Sequence, residues 1–188
     1  MPDMSAATTL ASSPVADATS DAEAFYDAHF EFVWRSLRRL GVPEALLDDA
    51  TQDVFLVAFR RRDEFAGRSS SKTWLFGIAW NRARELSRRR RRKPEEPLPE
   101  CLIDTGRATQ EEALLSREAL ALLYAALNAL TDDRRALIVM AELEEMTAAE
   151  IAELTNAPLN TVYSRLRLAR RDFQAALQRL QAKRTRAK

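Results

Sequence analysis

The chain is expected to be all-α, with two small helical domains joined by a flexible linker, on three observations. Strand patterning is almost absent, while Ala, Leu, Arg and Glu dominate the 188 residues. Three Ser/Thr-x-x-Glu capping boxes, at Ser20–Glu23, Thr109–Glu112 and Thr147–Glu150, each precede apolar residues at helical spacing. Charge falls in blocks. Residues 60–93 hold thirteen Arg or Lys against three acids, residues 94–160 fourteen acids against four bases, and residues 161–188 nine bases against Asp172 alone. Two basic blocks held apart by an acidic one suit two polyanion contacts on either side of a linker. The expected division is a tail at 1–19, a first domain at 20–93, a linker at 94–109, a second domain at 110–182 and a basic tail at 183–188.

Residues 1–19 hold too little apolar surface to offset ordering and are expected to be disordered. The Ser20 box opens a helix to about Leu40, with Phe25, Phe32, Val33, Leu37 and Leu40 inward. Gly41 sits where a helix-ending glycine belongs, and Pro43 can open the next helix. That helix, to about Arg62, turns Leu46, Leu47, Ala50, Val54, Val57 and Ala58 toward a core. Asp48, Asp49, Gln52, Asp53, Phe55, Leu56 and Phe59 are left as a second surface, acidic and apolar together, which suits a protein partner. Phe65–Thr73 reads as a polar turn. Ser71 is the expected cap of a helix to about Arg92, with Trp74, Leu75, Ile78, Ala79 and Leu86 as apolar mass. Trp74 reads as core; Trp80 reads equally as core or as a stacking platform among bases.

Pro94, Pro97, Pro99 and scattered acids mark 94–109 as a linker. The Thr109 box opens a helix to about Leu130, and Thr131 caps another over Asp132–Glu144. Thr147–Phe173 then reads as a helix-turn-helix. Ile151 and Leu154 face inward, Asn156-Ala157-Pro158 breaks the chain, and Asn160 or Thr161 caps a second, basic helix suited to the major groove.

Composition excludes several classes. Cys101 is the only cysteine and His29 the only histidine, so neither a disulfide within the chain nor a Cys/His zinc site can form. There is no glycine-rich phosphate loop, and no cofactor or enzymatic activity is expected. Asp48, Asp49 and Asp53 could in principle hold magnesium, but helical acidic faces are far more often solvated or partner-binding. The N-terminus has neither the basic start nor the apolar core of a signal peptide, and no apolar run is long enough to span a membrane. A cytoplasmic protein without membrane contact is expected.

Three stretches carry a resemblance to a known family. DDATQDVFLVAFRRRDEF resembles region 2.2 of the extracytoplasmic-function (ECF) sigma factors, the minimal two-domain group of bacterial transcription initiation factors. TWLFGIAWNRARELSRRRR resembles their regions 2.3 and 2.4, and LTNAPLNTVYSRLRLARRDF their region 4.2. The resemblance covers about Ala22–Leu180. It implies binding to core RNA polymerase through the beta-prime coiled coil and the beta flap, binding to promoter DNA, and strand opening. Many members also have a separately encoded anti-sigma factor.

Residue by residue, the resemblance places Asp49, Gln52, Asp53, Phe55 and Leu56 against the polymerase coiled coil. It assigns the minus-ten element to the loop with Phe65, Gly67, Arg68, Ser69, Ser70, Ser71 and Lys72, to Trp74 beneath it, and to Asn81, Arg84 and Arg88 on the following helix. It assigns the minus-thirty-five element to Asn160, Thr161, Tyr163, Ser164, Arg165, Arg167, Leu168 and Arg171. Arg167 is the candidate for a bidentate contact to guanine, and Arg165 and Arg171 for phosphate. The family often has Gly at Asn160, Lys or Arg at Tyr163 and Arg at Leu168. Two cations are thus missing from the reading face, and the preferred box is expected to depart from the common one. The linker reads equally as an RNA mimic in the polymerase channels or as a plain tether.

The alternatives are a helix-turn-helix regulator acting without polymerase, a polymerase-binding decoy that reads no promoter, and a nucleic-acid enzyme. Domains of about 70–80 residues are marginal alone, so the two halves are expected to move independently in the free protein.

Overall fold

A computed structural model describes residues 14–65, 70–92 and 110–186, and among these the regular structure is helical with no strand. Helix α1 runs Pro14–Arg39. It therefore begins before the Ser20 box, with a proline at its first position, where the missing N–H costs nothing. Residues 14–19, expected in a disordered tail, are helical; residues 1–13 lie outside the described residues. The helix ends at Gly41, whose φ of 89° is open to glycine alone without strain. The Gly41 and Val42 amides donate back to the carbonyls of Arg38 and Leu37.

A short 3-10 turn, Glu44–Leu46, separates Pro43 from α2, Leu47–Arg60. Helix α3 is Ser71–Arg92. Its cap is Ser70 rather than Ser71: the Ser70 Oγ accepts from the Thr73 amide at 3.0 Å. Ser71 lies in the first turn, its Oγ 3.1 Å from His29 Nε2. The linker at 94–109, including Cys101 and Thr109, falls outside the described residues.

Helix α4 is Gln110–Asn128, and α5 is Asp132–Ile138. Thr131 occupies the cap position of α5, but its side chain makes no capping bond. The single helix expected to Glu144 instead rewinds into a π-turn over Val139–Leu143 and stops at Glu145, φ 54°. Helix α6, Ala148–Thr155, carries the complete Thr147–Glu150 capping box and ends on Asn156 in the left-handed region, φ 49°. Helix α7 is Leu159–Arg186. Both the Thr161 and Val162 amides donate to the Pro158 carbonyl, so Asn160 and Thr161 stand inside the first turn and cap nothing. The helix carries Lys183 to Arg186 with it, where a frayed tail was expected.

Val33, Leu37, Val54, Phe55, Leu75 and Phe76 form the centre of α1–α3, and Ile138, Met140, Ile151, Val162, Leu166 and Ala169 that of α5–α7. These belong to one continuous cluster, so the two helical halves share a core in this structure. Domains of this size are marginal alone, and a shared core adds to the stability of both. Buried Arg135 is one of the bonds across the join. Its Nη1 donates to the Leu40 carbonyl at 3.2 Å, its Nε to Leu127 at 2.9 Å, and its Nη2 to Leu130 at 3.4 Å. One guanidinium thus satisfies carbonyls left over at the ends of α1 and α4. Burial pulls its pKa below the ordinary arginine value, with Asp132 opposing. Arg39 reaches Glu144 at 2.8 Å, while Ser87 and Arg91 meet Asp132 at 2.5 and 3.0 Å.

Candidate nucleic-acid and partner faces

Helix α2 keeps one side free of the core. Asp49 and Gln52 are exposed, and beside them stand Leu56 and Phe59, 53% and 37% exposed. Asp53 is half-buried and paired with Arg82 of α3 at 2.5 Å. Phe55 does not share this face. It is 2% exposed, its ring 4.6 Å from that of Tyr26. The apolar arc of α2 is wider than its sequence spacing shows, because α1 crosses it and brings Tyr26 over Phe55. Trp34 of α1 donates to Asp48 at 3.1 Å, which fixes one acid of the face. Among the described residues no group of three or more His, Cys, Asp or Glu could hold a metal ion.

The second face begins at the end of α2 and continues along α3. Phe65 and Trp74 lie with ring centroids 5.0 Å apart, so both stand beside the Ser70 cap. Trp74 is partly buried against the core. Exposed Lys72 points its ammonium at Phe32, 5.8 Å from the ring centre. Arg68, Gly67 and Ser69 lie outside the described residues. Along α3, Trp74, Gly77, Trp80, Asn81, Arg84 and Arg88 follow at three- and four-residue steps and share one side. The Arg84 guanidinium sits 4.9 Å from the Trp80 ring centre, a cation–π pair on that side. Asn81 and Arg88 are exposed. Trp80, read from sequence as core or platform, is half-buried and serves both ends: packed below, its ring beside a cation above.

The third face is on α7. Val162, Leu166, Ala169 and Ala176 are buried. Opposite them, Asn160, Ser164, Arg167 and Arg171 recur at i, i+4, i+7 and i+11 and are all exposed. Tyr163 flanks this line on one side, and Leu168 with Thr161 on the other; Tyr163 is 57% exposed and Leu168 37%. Exposed Arg165 lies further round. Arg170 pairs with Glu142 at 2.7 Å, and Arg171 with Asp172 at 3.2 Å. Arg134 of α5 also binds Asp172. Asp172 is thus neutralised within the fold, and the outward face of α7 keeps a cationic character. The Asn156 turn and the Pro158 start hold α6 across the base of α7, which leaves the first turns of α7 projecting.

Sequence reasoning missed Gly77 and the residues of the join, Arg39, Arg135 and Glu144. Arg135 had a signal, standing directly before the apolar run Ala136–Ala141. The others act through contacts distant in sequence.

The chain matches the Sigma-70 region 2 family over residues 25–93 and the Sigma-70 region 4 family over residues 120–173. It is 30% identical over 148 residues to the ECF RNA polymerase sigma-E factor of Escherichia coli (strain K12), covering 74% of this chain and 78% of the relative. It is 33% identical over 143 residues to the sigma-E factor of Haemophilus influenzae, covering 71% and 76%. Among solved structures, the sigma factor RpoE of Bartonella quintana, crystallised with the anti-sigma factor NepR, aligns with a TM-score of 0.65 at 22% identity, over 84% of this chain and 97% of that one. CnrH, solved with the cytosolic domain of CnrY, aligns with a TM-score of 0.61 at 24% identity, over 85% and 89%. These two likenesses concern the fold.

Proposed function

Because the chain belongs to the sigma-70 family, within its ECF group, we propose that it binds core RNA polymerase, carries it to particular promoters and helps to open them. The observation that carries this reading is the presence of three distinct faces in one chain, on α2, α3 and α7. A conventional helix-turn-helix regulator needs only the α7 face. Here α3 offers a second cationic face with aromatic rings, and α2 offers an acidic and apolar face for a protein. Asp49, Gln52 and Leu56 would meet the polymerase, with Phe59 added and Phe55 behind them as support. The acids would pair with cations, and the two apolar groups would supply buried anchors.

Duplex reading falls to α7. Asn160, Thr161, Tyr163, Ser164 and Arg167 occupy its first turns, the part of a recognition helix that reaches base edges. A bidentate Arg167–guanine contact is worth about 1–3 kcal/mol of discrimination. Arg165 and Arg171 would hold phosphate, and Leu168 an apolar patch of the groove. Opening falls to α3. A base that leaves the stack costs a few kcal/mol, which stacking near Phe65, Trp74 and the Trp80–Arg84 pair would offset. Ser70, Ser71, Lys72, Arg68 and Asn81 would supply polar contacts. Arg88 and the arginines after it would bind backbone regardless of sequence, weakening as salt rises. We also propose an anti-sigma partner, as in the Bartonella quintana complex.

Run-off transcription with purified core polymerase on pooled genomic promoter fragments tests the reading. Promoter-specific transcripts are expected only when this protein is added. Tight promoter binding without polymerase, and no engagement of core, would make it a conventional regulator. Core binding without any transcript would make it a decoy.

A further inference from the structure

His29 is the chain's only histidine, and none of the three faces includes it. It is half-buried on α1, with Phe25 one turn before it and Phe32 one turn after. The three stand at i−4, i and i+3, on one side of the helix. That side meets the start of α3. The Lys72 ammonium lies 5.8 Å from the Phe32 ring centre, and Ser71 Oγ lies 3.1 Å from His29 Nε2. Consecutive residues in the first turn of α3 are thus held by one stripe of α1. Phe25 packs edge-on against the imidazole, with ring centroids 4.6 Å apart, and also meets Phe59 of α2 at 6.2 Å. The imidazole is wedged between these rings and Ser71.

Its surroundings decide where its hydrogen sits. Nδ1 is buried with no hydrogen-bond partner among the described residues. A buried N–H without an acceptor is rarer in folded proteins than a buried lone pair without a donor. The neutral ring therefore leaves Nδ1 bare and carries its hydrogen on Nε2, which donates to the Ser71 hydroxyl. A hydroxyl has one hydrogen and two lone pairs. With a lone pair taken by His29, and no other bond at Ser71 Oγ among the described residues, the hydroxyl hydrogen is left to donate away from α1.

Ser71 opens α3. The first turn of a helix leaves amides without intrahelical acceptors, and the helix dipole favours negative charge there. Exposed Lys72 adds a cation. A hydroxyl aimed as a donor at such a place suits an anionic acceptor, and the anion that a displaced strand brings is its phosphate.

From this we infer that His29 is a positioning residue for the minus-ten contact: donating from α1, it makes the Ser71 hydroxyl a fixed donor for one backbone phosphate of the displaced strand. His29 itself touches no DNA. The inference rests on the reading of the first turn of α3 as part of the DNA-opening surface.

The test uses holoenzyme assembled from core polymerase and this chain. Fluorescence anisotropy reads its binding to a labelled single strand, the non-template minus-ten strand of a promoter found by run-off transcription. Glutamine brings an amide nitrogen near the place of the histidine Nε2, whereas asparagine reaches only the place of Nδ1. His29→Gln should bind within about twofold of wild type, and His29→Asn and His29→Leu about tenfold more weakly, the worth of one hydrogen bond to a charged group. Ser71→Ala should lose the same factor, and adding His29→Leu to it should lose no more. Strands with a single uncharged methylphosphonate linkage then locate the phosphate. One linkage should weaken wild-type binding about tenfold and cost Ser71→Ala and His29→Leu little. A residue that merely props the fold would lower the urea midpoint and weaken every strand alike, leaving the methylphosphonate profile as in wild type. That unchanged profile, full affinity in His29→Leu, or His29→Asn binding as well as His29→Gln would overturn the inference. Failure of the underlying reading would show elsewhere, as absence of promoter-specific transcripts from wild-type protein with core polymerase.

Discussion

Phe55 and Leu56 are neighbours in sequence with opposite fates, and the contrast makes a prediction at the scale of single residues. Phe55 is fully enclosed beside Tyr26, whereas Leu56 is 53% exposed. Phe55→Ala should cost about 3–5 kcal/mol of stability in urea unfolding, the range for a buried aromatic cut to alanine. Leu56→Ala should leave the unfolding midpoint nearly unchanged and weaken binding to core polymerase. Sequence could not separate them. Period alone places Phe55 at the edge of the apolar arc, and only the crossing of α1 decides which way the edge falls. The α7 positions were legible, by contrast, because a helix with Val162, Leu166 and Ala169 inward must turn Asn160, Ser164, Arg167 and Arg171 outward. Cap assignment was less so. Ser70 and Ser71 are adjacent and chemically alike, and the choice depended on which one held the extended backbone that a cap requires.

At the scale of elements, two glutamates that bracket the start of α6 titrate in opposite directions. Glu150 accepts from the Thr147 amide and hydroxyl, each at 2.8 Å, and these bonds hold its pKa below the usual glutamate value. Its contribution is therefore present above the unfolded-state pKa and is lost as pH falls through the lower folded value. Glu144 is buried, which raises its pKa, and Arg39 opposes the rise. Its folded form prefers the proton, so its contribution is present below the unfolded-state pKa and is lost as pH rises through the folded value. Carboxyl NMR titration should find the Glu150 midpoint below the ordinary glutamate value and the Glu144 midpoint above it. Arg39→Met should move the Glu144 midpoint further up. Thr147→Ala should cost about 1 kcal/mol, the usual worth of a cap, read as faster amide exchange in α6. The box itself was plain in the sequence. The π-turn before it was not, since nothing local distinguishes Val139–Leu143 from a continued α-helix.

For the whole molecule, the continuous core predicts cooperative unfolding. Calorimetry of the free protein should give one transition whose van't Hoff and calorimetric enthalpies agree. Two separable transitions would mean that the join contributes little. This property was not legible in the residue pattern. Its two basic blocks, its acidic break and its small domains all argued for loosely tethered halves, and each of those features is present. What they could not show is that the apolar surface left uncovered on one half matches the surface left on the other, or that Arg135 would be buried at the meeting point.

The seat of Arg135 also gives the chain's history a direction. A methyl group on Gly41 would fall 1.6 Å from Arg135 Nη1, on a backbone already at φ 89°. Any side chain at position 41 therefore carries two penalties, one intrinsic to the turn and one that exists only while the arginine is there. A lineage that first lost Arg135 would find position 41 easier to change afterwards, whereas a change at Gly41 made first would evict the guanidinium and strand the carbonyls of Leu40, Leu127, Asn128 and Leu130 at once. Natural relatives that keep the arginine should keep the glycine, and the departures should begin at 135.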